Sequence, residues 1–397
     1  MKITRRALLS ASGVAATASL AGCWSSSPPP EVEGTWPRRG VDNAHTGFVD
    51  ADPPTESLSA SWEQSPQADR VVSPVVGGDR VYVAHSHYEK ARDPGVVRVK
   101  AFDAGGGESL WTADPAEATW NSAESPFLDS LVLDGDRLFL QTQRGLQTVG
   151  TDGELGWTFS NLGPWDLHSG SPPVVTDDVA VTSTYGTTAD GPETVYGVDP
   201  AEGTEVWHTD LPSFSDPRWL AAADGVAYAA SMRDGVVALD LESGDELWRR
   251  SLSAMGQITV SGGRVVVGIK TAAGGTDEVV ALDASNGDEQ WRRETGFLWP
   301  QNGFAVADGT VYHAAALRLV ARSLETGERE WRFPATEGGE RAVKAGATPA
   351  LTPDAAFVVG TAGPEDGDRL FTVDRETGDR LGAYDTGPLS DALVPAV

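Results

Sequence analysis

A single spacing constrains this chain more than any other feature: Ala-x-Asp-x-x-x-Gly-x-x-x-Trp. It is complete at Ala101/Asp103/Gly107/Trp111, Ala238/Asp240/Gly244/Trp248 and Ala281/Asp283/Gly287/Trp291. Near copies stand at Gly197/Asp199/Gly203/Trp207 and Ala321/Ser323/Gly327/Trp331. Two more are degraded: Gly153 and Trp157 follow a displaced Asp152, while Asp374 and Gly378 are followed by Gly382 in place of Trp. With Trp62 as a lone first member, the closing positions fall at 62, 111, 157, 207, 248, 291, 331 and 382, at intervals of 40 to 51 residues. Self-similarity at that period marks a repeat architecture whose unit is one four-stranded sheet.

Within a unit the order of pieces is constant. The third shows it best: Pro173-Val174-Val175, a turn at Asp177-Asp178, Val179-Ala180-Val181-Thr182, then Val195-Tyr196-Gly197-Val198-Asp199. β-Branched runs separated by turn residues read as strand, turn, strand. The motif Gly supplies a positive φ in a tight turn, and the Asp side chain can bond turn amides. The Trp then lies across to the next sheet, where a ring of about 150–250 Å² seals the joint. Trp62, Trp111, Trp157, Trp207, Trp248, Trp291 and Trp331 are therefore expected to dock structurally, since a residue that recurs at every joint serves the joint. The expected fold is all-β, a β-propeller of four-stranded antiparallel blades. Inner-strand starts recur near Ser73, Ser125, Ser171, Ala221, Ile258, Phe304, Thr348 and Val394. They predict eight blades, the eighth shared between the C-terminal strand and the N-terminal segment that ends near Trp62. A seven-bladed ring with both ends stacked outside is the alternative.

These units resemble the quinoprotein, or PQQ-like, propeller repeats of the quinoprotein alcohol dehydrogenases and the BamB-type lipoproteins, over roughly residues 60 to 397. The opening Trp36-Pro37-Arg38-Arg39-Gly40, with His45-Thr46-Gly47-Phe48, resembles the lead-in of archaeal relatives. WD-type propellers match less well, because no Gly-His and Trp-Asp pairs occur. The resemblance implies two functional classes. The dehydrogenases hold their cofactor with a vicinal disulfide, a catalytic Asp and calcium ligands. A chain whose sole cysteine is Cys23 cannot form that disulfide. A non-catalytic binding propeller without a cofactor, PQQ included, is the expectation, and a PQQ- or metal-dependent oxidoreductase is the alternative.

The N-terminus reads as an address. Residues 1–22 contain Thr4-Arg5-Arg6-Ala7-Leu8-Leu9 and a weakly apolar stretch from Leu8 to Leu20, too short for a membrane span. The twin arginines resemble a Tat signal, and Leu20-Ala21-Gly22-Cys23 resembles a lipobox whose Cys23 is acylated. Residues 23–35 form a Ser/Pro tether and residues 36–397 the propeller. The chain is thus expected at the outer face of the cytoplasmic membrane, held by a lipid anchor that needs more than one acyl chain or a second contact.

The formal charge is −28, which disfavours nucleic acid and anionic lipid surfaces as partners. Lysine occurs only at positions 2, 90, 100, 270 and 344, the other basic residues being Arg. Such acid-rich, lysine-poor surfaces suit salt-loving archaea, because molar salt shortens the Debye length to about 3 Å and tolerates the self-repulsion.

Outside the structural motif, aromatic and polar residues recur just before the inner strands: Trp120, Asn121, Trp165, His168, Arg218, Trp219, Gln257, Trp299, Gln301, Asn302 and Lys344. Equal phase in a propeller means one face, so these residues form the candidate binding face around the channel mouth, or else merely plug it. His85 and His87 share one side of a strand but lack a third donor, so no metal site is expected. The overall expectation is a monomer with a protein partner.

Overall fold

The structure is a computed structural model that describes residues 3–5, 35–52, 61–64, 68, 70–87, 96–117, 128–142, 144–160, 172–184, 193–214, 217, 219–271, 277–298, 303–334, 348–361 and 368–385. Among these residues the chain forms seven antiparallel sheets, each four strands deep and each paired in sequence order from the innermost strand outward. We number them as blades 1 to 7, spanning 70–117, 128–159, 174–211, 219–250, 254–294, 304–333 and 350–385. Blade 4 shows the pattern without interruption: Trp219–Ala223, Val226–Ser231, Gly235–Asp240 and Glu246–Arg250. In blade 1 the innermost strand is broken into Arg70–Val71 and Val75–Gly77, both paired with Arg80–His87.

The repeat motif is explained by the outer pair of strands. In blade 4, Ala238 stands opposite Trp248 and Leu239 opposite Glu246, so Leu247 is an extra, bulged residue. The same shift recurs at Ala101/Phe102, Gly197/Val198, Ala281/Leu282, Ala321/Arg322 and Thr372/Val373. A bulge at a fixed place re-aims the side chain beside it, here the indole, and leaves the residue before the Trp facing water. That accounts for the exposure of Leu110, Val206 and Leu247, and of Leu381 before Gly382 at the equivalent bulge. The motif alanine is small because it sits directly under the ring.

Each indole reaches the next blade. The Nε1 groups of Trp62, Trp111, Trp157, Trp207, Trp248, Trp291 and Trp331 donate to the carbonyls of Ala104, Thr151, Pro200, Leu241, Ala284, Leu324 and Arg375 at 2.8–3.1 Å. The ring rests on the motif glycine. A Cβ on Gly107, Gly153, Gly203, Gly244, Gly287, Gly327 or Gly378 would lie 2.4–2.9 Å from indole atoms. The glycine is thus doubly required, by its positive φ and by the approach of the ring. The motif acid caps the same turn: Asp240 Oδ1 accepts from the Glu242 and Ser243 amides, and Asp374 Oδ1 from those of Glu376 and Thr377.

The expectation of eight blades is corrected to seven. Seven glycine cradles receive seven indoles, one per joint of a seven-membered ring. Blade 7 carries Gly382 where its own Trp would be, and Trp62 occupies the cradle of blade 1 instead. Buried Trp36 packs with Val76 of blade 1 and with Ala350, Phe357 and Leu370 of blade 7, joining the two ends of the ring. Val394, the inner strand of the expected eighth blade, lies outside the described residues, as do residues 386–397. Trp62–Gln64 pairs with Ile3–Arg5, within the segment read as a signal, in a two-stranded sheet that is no eighth four-stranded blade.

Candidate binding site at the ring axis

The inner strands leave one edge unpaired toward the axis, and seven such edges around a channel need hydrogen-bond partners. Residues 36–49 supply them. Trp36 exchanges two hydrogen bonds with Val76 of blade 1, both 2.8 Å, and the Pro37 carbonyl accepts from the Leu133 amide of blade 2 at 2.7 Å. In blade 3 the Asn43 side chain does this work, with Nδ2 donating to the Val175 carbonyl at 2.6 Å and Oδ1 accepting from the Val175 amide at 3.2 Å. The carbonyls of Asn43, Ala44, Thr46 and Gly47 then accept from Ala222, Val260, Val306 and Leu351 of blades 4 to 7, at 2.7–2.8 Å. The seven partners are one repeat position, two residues before the hairpin turn that ends each inner strand. The lead-in therefore follows blade order around the axis at the turn face, where those hairpins lie.

Its backbone is bent to fit. Val41 (φ 71°) and His45 (φ 59°) both adopt left-handed conformations, which non-glycine residues hold only where their surroundings over-determine them. A Cβ on Gly47 would lie 2.9 Å from Ala305 Cβ and 3.1 Å from the Pro349 carbonyl oxygen, so blades 6 and 7 leave room only for glycine. Asp42 closes the loop by accepting from the Thr46 amide at 2.9 Å and from its hydroxyl.

Two buried groups lock this belt. Arg38 donates to the Val175 carbonyl at 3.2 Å and to Asn43 Oδ1, and faces Asp134 of blade 2 at 3.4 Å. Burial lowers the Arg38 pKa, with Asp134 and Asp42 opposing. His45 Nδ1 donates to the Ile258 carbonyl at 3.0 Å. Burial, aided by the charges of Arg38 and Arg39 and opposed by that hydrogen bond and by Asp42, pushes its pKa down to about 4, so the imidazole is neutral at ordinary pH. Arg39 reaches along the axis to within 3.4 Å of Thr348 Oγ1.

Of the residues proposed for the binding face, Trp219 and Gln257 are described. Trp219 lies in the apolar cluster between blades 4 and 5, with Tyr228, Trp248 and Ile258. Gln257 is buried, and neither its Oε1 nor its Nε2 has a hydrogen-bond partner among the described residues. Across Gly303 it faces Thr348: a Cβ on that glycine would lie 2.5 Å from Thr348 Oγ1 and 2.9 Å from Gln257 Oε1. Trp120, Asn121, Trp165, His168, Arg218, Trp299, Gln301, Asn302, Lys344 and the anchor residue Cys23 lie outside the described residues.

Residues 191–297 and 275–393, together just over half of the chain, match the family described as outer membrane protein assembly factor BamB. The chain belongs to that family. No curated protein sequence matches it. Among solved structures it is similar to BamB from Moraxella catarrhalis, at 15% identity and TM-score 0.51 over 82% of this chain and 86% of that one. It is also similar to the quinohemoprotein alcohol dehydrogenase from Comamonas testosteroni, at 15% identity and TM-score 0.64 over 89% and 73%. A europium-containing methanol dehydrogenase gives 12% identity and TM-score 0.60 over 89% and 86%. At these identities the likeness is one of fold, which catalytic and non-catalytic chains share.

In this BamB-family ring the two faces are built differently. The turn face carries the motif and hairpin acids, of which Asp79, Asp136 and Asp283 stand 3.7–3.9 Å from Arg80, Arg137 and Arg264. The loop face, where the chain passes from blade to blade, includes features that sequence reasoning missed. Asp277, 2% exposed, accepts from the Leu298 amide at 2.8 Å and pairs with Lys270 at 3.0 Å, pinning the loop after blade 5. Phe297 and Leu317 are exposed there. No turn propensity of Ala316-Leu317 announces a hairpin, so that residue pair gave no signal.

Proposed function

We propose that this chain is a non-catalytic scaffold that binds a protein partner at the loop face of its ring, outside the cytoplasmic membrane and anchored through Cys23. The observation that carries the reading is the lead-in: its contacts with all seven inner strands fill the turn end of the axis with the chain's own backbone. A partner then has the loop face, the end at which the inner strand bearing Gln257 begins, and that buried amide has no hydrogen-bond partner among the described residues. Family membership supports a scaffold rather than a catalyst. The assembly role named for that family presupposes an outer membrane, so docking on a propeller face is the part carried over here.

Quinone chemistry of the dehydrogenase type does not fit the residues present. The chain has one cysteine, Cys23, so no vicinal pair exists. Among the described residues no three His, Cys, Asp or Glu side chains gather into a cation site. His85 is buried on its strand with no such cluster around it.

Three measurements test this reading. Cys23→Ser should release the protein from membrane fractions into the medium, and unchanged fractionation refutes the anchor. Trp165→Ala with Trp299→Ala should abolish partner capture from native membranes at an unaltered melting temperature, whereas undiminished capture refutes the binding face. Adding PQQ and calcium should produce neither a new absorbance band nor dye-linked alcohol oxidation; either result would restore the oxidoreductase.

A further inference from the structure

We infer that the loop face between blades 5 and 6 docks an acidic polypeptide segment bearing apolar side chains; this rests on the scaffold reading and gives its partner a chemistry. The hairpin joining Thr310–Ala315 to Arg318–Ser323 turns through Ala316 (φ 46°) and Leu317 (φ 66°). A two-residue turn with positive φ at both central positions suits Asn-Gly or Gly-Gly, and an L side chain there crowds its own carbonyl. Leucine is the less suited for being large and apolar in water: it is 45% exposed and contributes nothing to the core. A residue held in an unfavourable conformation, with its apolar surface outward, points to a role other than folding.

The surroundings define what would cover it. The Ala316 amide donates to the Phe297 carbonyl at 2.9 Å, which sets this turn beside a phenylalanine that is itself 50% exposed. Lys270 Nζ stands 4.4 Å from the centre of the Phe297 ring, and Arg318 follows Leu317 directly. Arg318 takes part in no ion pair among the described residues. Asp277 lies beneath the loop with its carboxylate turned to Lys270 and to the Leu298 amide, so it presents no outward charge. The result is two neighbouring apolar side chains beside the Lys270–Asp277 pair and the uncompensated cation of Arg318, on a chain of net charge −28. Charge complementarity selects carboxylates from the partner, and the exposed Leu and Phe select apolar side chains between them.

The test uses the full chain and a fluorescein-labelled peptide, Asp-Phe-Asp-Leu-Asp-Phe, followed by anisotropy. Saturable binding is expected, weakened about tenfold, the equivalent of about 1.4 kcal/mol, by Leu317→Gly and by Arg318→Glu. Asp136→Ser, on the turn face, should leave it unchanged. Leu317→Gly should also raise the melting temperature, which separates lost binding from lost folding. Absence of saturable binding, or binding indifferent to both loop-face substitutions, overturns the inference; the scaffold reading then stands or falls on capture through Trp165 and Trp299. Concentration-dependent self-association of the full chain that Leu317→Gly abolishes would assign the patch to a second copy and overturn it as well.

Discussion

At the turn face the contacts repeat: an indole on a glycine, an acid (in blade 6, Ser323) over a turn, an inner-strand position bonded to the lead-in. At the loop face the described hairpins differ from one another. Blade 4 turns through Met232, Arg233 and Asp234, blade 6 through Ala316 and Leu317, and the loop after blade 5 is pinned by a buried aspartate. One face is assembled by a rule applied seven times, so its stability is spread over equivalent joints. The other is free to differ from blade to blade, which is what a specific partner requires. The division predicts where substitutions should act on folding and where they should not.

The largest expected effect is at a joint. Trp248 is nearly buried, stacked on Gly287 and bonded to the Ala284 carbonyl. Trp248→Ala should remove about 3–5 kcal/mol of stability, read from guanidinium unfolding. A loss below about 1 kcal/mol would mean that the joints are not the source of the ring's stability.

Acid should open the turn face next. The folded-state pKa of His45 lies near 4 against an ordinary 6.5, so the unfolded chain takes up the proton first. Its contribution is complete above pH 6.5 and is lost as pH falls toward 4, up to about 3 kcal/mol. His313, buried beside Arg322 and pushed down to about 3, extends the same loss to lower pH. His45→Gln, which keeps a donor for the Ile258 carbonyl, should flatten the pH dependence between 6.5 and 4 while the His313 portion persists. An unchanged slope would show that the lead-in opens without protonation of His45.

Smaller again is Arg38→Met, which deletes the cation between Asp134 and the Val175 carbonyl. Asp134 is 35% exposed, so water can take over part of its solvation, and a loss of about 2 kcal/mol is expected. Proteolysis between residues 49 and 62 should become faster in this variant, because the belt is then held more weakly on blade 3. Equal cleavage rates would dissociate the lead-in from the ring's stability.

How much of this was readable beforehand follows the same division. The Trp joints were legible because one spacing recurs, and the role of each member follows from its chemistry. The bulge was not, since it appears only when two strands are set in register. The blade count went astray because strand starts count pieces of chain rather than sheets, and Trp62 fills the Gly107 cradle of blade 1 that a Trp at position 382 would have filled. The lead-in showed no periodicity, since its conformation is dictated by seven blades spread over the whole chain. Trp219 and Gln257 share a repeat phase, yet one sits in a core cluster and the other at the axis. Phase fixes a layer in a propeller, not the direction of a side chain.

The smallest expected effect has the opposite sign. Elsewhere in a strand or hairpin, leucine to glycine destabilises by about 0.5–1 kcal/mol through backbone entropy alone. At Leu317 the left-handed conformation already costs about 1–2 kcal/mol, which glycine does not incur. The leucine's exposed surface means little burial is forfeited, so Leu317→Gly should gain about 0.5 kcal/mol, measured as a rise in denaturation midpoint at constant slope. Gly287→Leu, the reverse exchange at the turn face, should unfold the ring, because its Cβ alone would meet Trp248 at 2.6 Å. If instead both exchanges destabilise, Leu317 belongs to the folding rule of the repeats, and the separation of a folding face from a binding face fails at the residue where it makes its sharpest claim.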